Sequence, residues 1–349
     1  MDAIKILLIT VLCGGLTACQ KAENAIIEKK TADQSSELIQ EVSLTPYPQN
    51  CDSVQTAVKD LKTSFSPAGL LQLNTLFKKC LTNATLHTRY AWLQEADKVY
   101  QFQTSQLPQN TVEYMTRVSA NGETLTEPQL KKRFSLMNAE EKFIIKHQAA
   151  LFLSPYKLAQ GDVEIQQSPN YRVAIFAPTL PKADQYFLKM QAEQQIAMGG
   201  ALTQDATLTV PFTQLADWII VWENYLQTHP NSYFAQTAKK NVVDYQKFLF
   251  LGLENTPVIE FHDQDVSLTA NVQQAMNKLA HTQSNSATKA KKFLKYYADF
   301  HQSIPRWNEE KVDPQNFNVL INEQVSLIQN FKNSYSQDLS KLLDLSDDT

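Results

Sequence analysis

The chain has 349 residues, 43% of them hydrophobic, and a formal net charge of −4. That hydrophobic share can bury a real core, and the mildly acidic balance excludes the basic footprint of a nucleic-acid binder. Only eight glycines occur, where average usage would give about 24, so helices rich in Gln, Ala, Leu and Lys are expected over a turn-rich β fold.

Lys5 is followed by an apolar run from Ile6 to Leu12. The run falls short of the roughly 20 residues that a permanent membrane helix needs. A positive charge, a short apolar stretch and small residues before a cut make a secretory signal. The cut site reads Leu16-Thr17-Ala18-Cys19, which resembles the lipobox of bacterial lipoproteins at all four positions. The resemblance covers about twenty residues and implies that the Cys19 thiol carries diacylglycerol and becomes the new N-terminus. Several acyl chains, palmitate among them, would then give a stable membrane anchor, which one chain alone would not. In that family Asp after the cysteine marks the inner membrane. Gln20 stands here, so the resemblance implies an outer-membrane lipoprotein facing the periplasm. The expected divisions are residues 1–18 as signal peptide, 19–50 as lipid anchor and polar tether, 51–343 as a helical body and 344–349 as an acidic tail. A sub-boundary is conceivable near 178–181.

Cys51 and Cys80 remain, in a compartment that permits disulfides. Val54, Ala57, Val58, Leu61 and Phe65 have helical spacing, and Ser66-Pro67 opens a second helix through Leu70, Leu73, Leu76, Phe77 and Cys80. An antiparallel hairpin of two such helices brings the two cysteines together, so they are expected to pair. Leu86 to Tyr100 outlines a third helix, and a looser stretch follows through Asn121-Gly122. Helices are predicted to open at Thr126-Glu127-Pro128 and, by a capping box, at Asn138 and Glu141. Val163 to Ile165 and Tyr171 to Ile175 alternate around Ser168-Pro169-Asn170 and predict a β-hairpin. Lys182 to Met198 is helical and stops at Gly199-Gly200. Short strands are expected at Thr207 to Val210 and Val258 to Phe261. Helices are expected at Phe212 to Thr228, Ser232 to Leu251, Ser267 to His281, Ala287 to Gln302 and Asn316 to Leu343. Asp313-Pro314 is expected to cap the last.

Five features were candidates for function. Trp222 to Ala235, with its His229-Pro230-Asn231-Ser232 turn, resembles the junction between tetratricopeptide-type helices, which implies an assembly scaffold. The match covers one hairpin, whereas an array needs about three units, so an ordinary helical hairpin stands beside it. Trp218, Trp222, Tyr225 and Leu226 share a helical stripe suited to core packing or to ligand stacking, as do Tyr296, Tyr297, Phe300 and Trp307. Lys289, Lys292 and Lys295 share a face that suits an anionic lipid or acidic partner, or plain solvent; Lys131-Lys132-Arg133 is a weaker basic run. Glu260, His262, Asp263 and Asp265 form the one tight carboxylate–histidine group. A metal would want a further ligand, and turn and cap duty before Ser267 accounts for the acids. Ser66 to Leu73 resembles the Gly-Leu-Met-Gln segment of lytic transglycosylases. That chemistry needs a glutamic acid, and none occurs from Val42 to Gln94.

No nucleophile elbow, His-Glu-x-x-His, phosphate loop or dinucleotide glycine pattern is present, so no catalytic residue, metal ligand or cofactor is assigned. The expected fold is mainly α: an antiparallel helical bundle or helical-hairpin array with one small β-hairpin. The expected role is a membrane-tethered, non-enzymatic binding or scaffold protein with an envelope protein partner. A hydrolase with an unrecognised site, which a pocket gathering Glu260, His262 or another acid–base pair would reveal, and a small-ligand carrier built on the Trp218/Trp222 stripe, are the alternatives.

Overall fold

The computed structural model describes residue 47 and residues 50–119, 126–157, 163–306 and 314–345. The expected signal peptide, the Cys19 anchor and most of the tether lie outside these residues. So do Gly122, Trp307, Asp313 and the last four residues of the tail.

The body is mainly α, as the composition predicts. The N-terminal hairpin is α1 (Ser53–Leu61) and α2 (Pro67–Cys80). Ser66 caps α2 by accepting from Gly69 N, with Pro67 at the first helical position. Val54, Ala57, Leu61, Leu73, Leu76 and Phe77 fill the seam, each no more than 1% exposed. The Cys51 and Cys80 sulfurs lie 2.14 Å apart at its open end, with Cα atoms 5.5 Å apart. This pair is the one the hairpin geometry predicts.

Next come α3 (Leu86–Ser105), α4 (Gln109–Ser119), α5 (Glu127–Leu136) and α6 (Ala139–His147). The stretch expected to be loose is therefore largely helix α4. Its sequence is polar on average and opens on Gln109-Asn110-Thr111 after Pro108, which reads as loop, although Val112, Met115 and Val118 have helical spacing. Both predicted openings hold: Thr126 with Gln129 and Asn138 with Glu141 form capping boxes.

The expected β-hairpin needs correction. Strand β2 (Val163–Gln167) pairs antiparallel with β1 (Leu153–Lys157), upstream of it, and Asn170–Ile175 is a short helix, α7. Tyr171 and Ile175 are both buried. They are four residues apart, a spacing that serves one helix face as readily as one strand face. Pro155 sits in β1 without cost. Ser168 N donates to Phe152 O, which, with Pro155 opposite Ile165, makes those two a non-hydrogen-bonded pair. Its N–H-less nitrogen therefore faces away from β2.

Helix α8 (Lys182–Met198) ends at Gly199, which takes the left-handed conformation at φ +62°. A two-residue hairpin follows, β3 (Thr203–Gln204) with β4 (Thr207–Leu208). Helices α9 (Phe212–Thr228) and α10 (Ala235–Leu251) then form a tightly packed pair. Strands β5 (Ile259–Phe261) and β6 (Val266–Leu268) make a third hairpin. The body closes with α11 (Ala270–Ala280), α12 (Asn285–Ser303) and α13 (Pro314–Leu342). Helix α11 starts later than expected: Thr269, not the Ser267 region, supplies the cap, because Ser267 belongs to β6. Buried side chains from Val54 to Leu345 form one hydrophobic cluster, which includes residues on both sides of Pro178. No helix among the described residues is long and apolar enough to cross a membrane.

Candidate functional site

The Trp218, Trp222 and Tyr225 stripe is core. The three side chains are 5%, 0% and 1% exposed, and Phe187 packs its ring 5.0 Å from Trp222 and 5.7 Å from Tyr225. Burying an aromatic of this size contributes about 2–3 kcal/mol. The indole N–H still needs an acceptor. It finds Gln194 Oε1 at 3.0 Å, and the Tyr245 hydroxyl donates to the same oxygen at 2.9 Å. Burial pushes the Tyr245 phenol up to about 12, so it stays protonated. Gln194 is only 4% exposed.

This arrangement fixes the carboxamide. An indole nitrogen can only donate, so the atom it meets is the oxygen and the Nε2 end turns elsewhere. Gln194 lines a cleft of about 600 Å³ bounded by the β1–β2 hairpin, the end of α8 and α10. Gln191, one turn earlier on α8, is set in the same way. Its Oε1 accepts from Arg172 Nη1 at 3.2 Å, a donor-only group, while the rest of that guanidinium grips Asp97 at 2.9 and 3.1 Å. Gln167 on β2 also lines the cleft, and its Nε2 is buried without a hydrogen-bond partner. Gln166, Gln195 and Asn241 add further amides, and Tyr156, Pro155 and Met198 add apolar surface. Among the described residues no Asp, Glu, Lys, Arg, His or Cys lines this cleft. It offers oriented hydrogen-bond donors and no side-chain carboxylate, imidazole, amine or thiol for proton transfer or nucleophilic attack.

A second cleft of about 900 Å³ lies among α9, α10, the start of α12 and the end of the chain's helical body. Glu223 Oε1 accepts from Ser286 N at 3.1 Å and Ser286 Oγ at 2.8 Å. Gln246 Nε2 donates to Ser286 Oγ at 2.6 Å, and Lys289 Nζ donates to Gln246 Oε1 at 3.0 Å. Burial lowers the Lys289 ammonium below its ordinary range. Ser286 and Lys289 have Ser-x-x-Lys spacing, but Ser286 is 0% exposed and its hydroxyl is engaged on both sides. It is a buried tie between α9, α10 and α12. The basic face expected of Lys289, Lys292 and Lys295 is correspondingly divided. Lys289 serves this network, Lys295 pairs with Asp299 at 2.8 Å, and Lys292 is exposed beside the cleft.

The carboxylate–histidine group sits on the β5–β6 hairpin, and neither Glu260 nor His262 lines either cleft. Ser267 Oγ bridges them, 3.0 Å from His262 Nε2 and 3.5 Å from Glu260 Oε2. Asp265 turns to His301 and Arg306 at 3.4 and 3.6 Å. Among the described residues no group of three or more His, Cys, Asp or Glu could hold a metal ion. The later aromatics are also packed, with Phe300 stacked on Phe331 at 3.5 Å between ring centres.

Sequence reasoning missed the amide cleft. The only signal was the Gln191, Gln194 and Gln195 run before Gly199-Gly200, which reads equally well as a solvated helix end. Comparisons with family models, with curated proteins and with solved structures return no match.

Proposed function

We propose that the chain is a lipid-anchored envelope protein whose body binds another envelope component in the amide-lined cleft, without catalysing a reaction. The observation that carries the binding role is the cleft itself. It is concave, free of charged side chains among the described residues, and furnished with an amide donor that the core has already oriented. Preset donors lower the ordering cost of binding, and the hydroxyls in its wall, those of Ser154, Tyr156 and Tyr245, have no carboxylate or imidazole beside them among the lining residues to act as a base. The anchor rests on Leu16-Thr17-Ala18-Cys19, and the outer-membrane address on Gln20.

Two measurements test the parts separately. Labelling with radioactive palmitate should mark the native chain and not Cys19→Ser; equal labelling of both would overturn the anchor. Cross-linking in intact cells from a photoreactive residue at position 195 should capture a dominant partner with the native chain. The yield should drop for Cys19→Ser, which leaves the membrane. No capture from position 195, with capture from a distant surface position, would remove the cleft from the reading.

A further inference from the structure

We propose that the occupant of the amide-lined cleft is an extended, uncharged peptide segment of a partner protein, held through its backbone carbonyls. The inference rests on the binding role given above to that cleft. Gln194 Oε1 takes two donors, which fills its lone pairs and leaves an N–H donor. Gln191 Oε1 takes the Arg172 guanidinium, which leaves an N–H donor and one oxygen lone pair. A sugar hydroxyl both donates and accepts, and Gln194 can serve only its accepting half. A peptide carbonyl only accepts.

The spacing agrees. Gln191 and Gln194 stand three residues apart on α8, so their Cβ atoms are about 5–6 Å apart. A strand rises about 3.3 Å per residue, so the carbonyls along one of its edges recur about every 6.6 Å. Flexible glutamine side chains span that small difference. The outward face of Pro155, which lines the cleft, carries a carbonyl and no N–H, and so offers an acceptor for a peptide N–H. The described lining holds no charged group, which selects against Asp, Glu, Lys, Arg and free chain ends, since an unpaired charge there would lose its hydration without compensation.

The test uses the full chain carrying Cys19→Ser, which removes the lipid. The probes are hexapeptides of Ala, Ser, Gln and Leu blocked at both ends, the same peptides carrying one Glu or Lys, and chitotetraose, read by saturation-transfer NMR. Gln194→Glu keeps an oxygen for both Trp222 and Tyr245 and exchanges the free donor for an acceptor. Unchanged thermal unfolding confirms that the variant folds, and Gln191→Glu, which keeps the Arg172 bond, is the second variant. The neutral peptides should bind the native chain, and the charged ones should bind more weakly. Gln194→Glu should weaken the neutral peptides by about tenfold to a hundredfold above the carboxylate range, and acidification, which restores an O–H donor, should recover affinity. Chitotetraose binding that depends on Gln194, with no peptide binding, would keep the cleft as the site and overturn the peptide class. Peptide binding indifferent to both variants would overturn the geometry. No binding by any probe would overturn this inference, and no cross-linked partner at position 195 would overturn the cleft reading beneath it.

Discussion

Opening the link between Cys51 and Cys80 should cost the body a large part of its stability. The two residues are 29 apart in sequence. In the chain-entropy account a cross-link over such a loop stabilises by about 3.6 kcal/mol, by restricting the unfolded chain. A domain's whole stability is about 5–15 kcal/mol. Packing adds a smaller contribution. Cys80 is 1% exposed, so Cys80→Ala also leaves a small void worth about 1 kcal/mol, whereas Cys51 is exposed and its truncation removes little. Reduction of the unaltered pair should therefore lower stability by about 3.6 kcal/mol, and the Cys51→Ala/Cys80→Ala double variant by about 1 kcal/mol more. Urea unfolding of the Cys19→Ser chain, with and without reductant, reads both values. The slope against urea should rise on reduction because the freed chain exposes more surface when unfolded. Peptide mapping without reductant should recover a linked pair containing Cys51 and Cys80. No linked pair would refute the pairing. A linked pair with coincident urea midpoints would refute the entropic reasoning.

Gly252→Ala should destabilise by more than about 1 kcal/mol, because Gly252 has φ +69° and an added Cβ would lie 2.8 Å from Thr256 O; an unchanged urea midpoint would refute the strain. Glu95 accepts from Lys62 and Lys98, and these hydrogen bonds hold its carboxyl below the ordinary range. An acid with a lowered folded pKa contributes stability above its unfolded pKa and loses it as pH falls through the folded value. Stability should therefore drop on acidification, and Glu95→Gln should flatten that part of the curve; superimposable profiles would refute the assignment. Trp222→Phe removes one of the two donors on Gln194 Oε1 and shrinks a fully buried side chain, at a cost of about 1–3 kcal/mol. It should also weaken ligands of the cleft, because the carboxamide is then free to turn over; full affinity in a folded variant would refute the pinning.

Much of the helical framework was legible because its signals are local. Ser66-Pro67 and the Asn138–Glu141 box mark helix starts through hydrogen bonds made within four residues, and Gly199 marks a stop through its own backbone angle. The cysteine pair was legible because two apolar stripes joined by a tight turn leave little choice of partner. Residues 170–175 were misread because Tyr171 and Ile175, four apart, fit a helix face as well as a strand face, while Val173 between them fits only the strand and is only half-buried in the helix that forms. Strand β1 was missed because Pro155 argues against a strand, and only the register shows that its nitrogen faces away from the partner. Helix α4 was missed because its short stripe of Val112, Met115 and Val118 is set in a polar sequence that opens on loop-like residues after Pro108.

The amide cleft was illegible for a different reason. Glutamine has no fixed polarity in a sequence: it donates and accepts, and it is as common on solvated helix faces as in binding sites. Its meaning here comes from groups far along the chain that can only donate. Trp222, 28 residues from Gln194, and Arg172, 19 residues from Gln191, each take the oxygen and leave the N–H. The aromatic stripe that the sequence assigns to the core therefore acts twice. Its rings fill the space between α8, α9 and α10, and the Trp222 indole nitrogen determines which end of Gln194 remains free. A ligand site of this kind cannot be found by searching for reactive residues. It is found by asking, for each buried amide, which of its two ends the fold has already used.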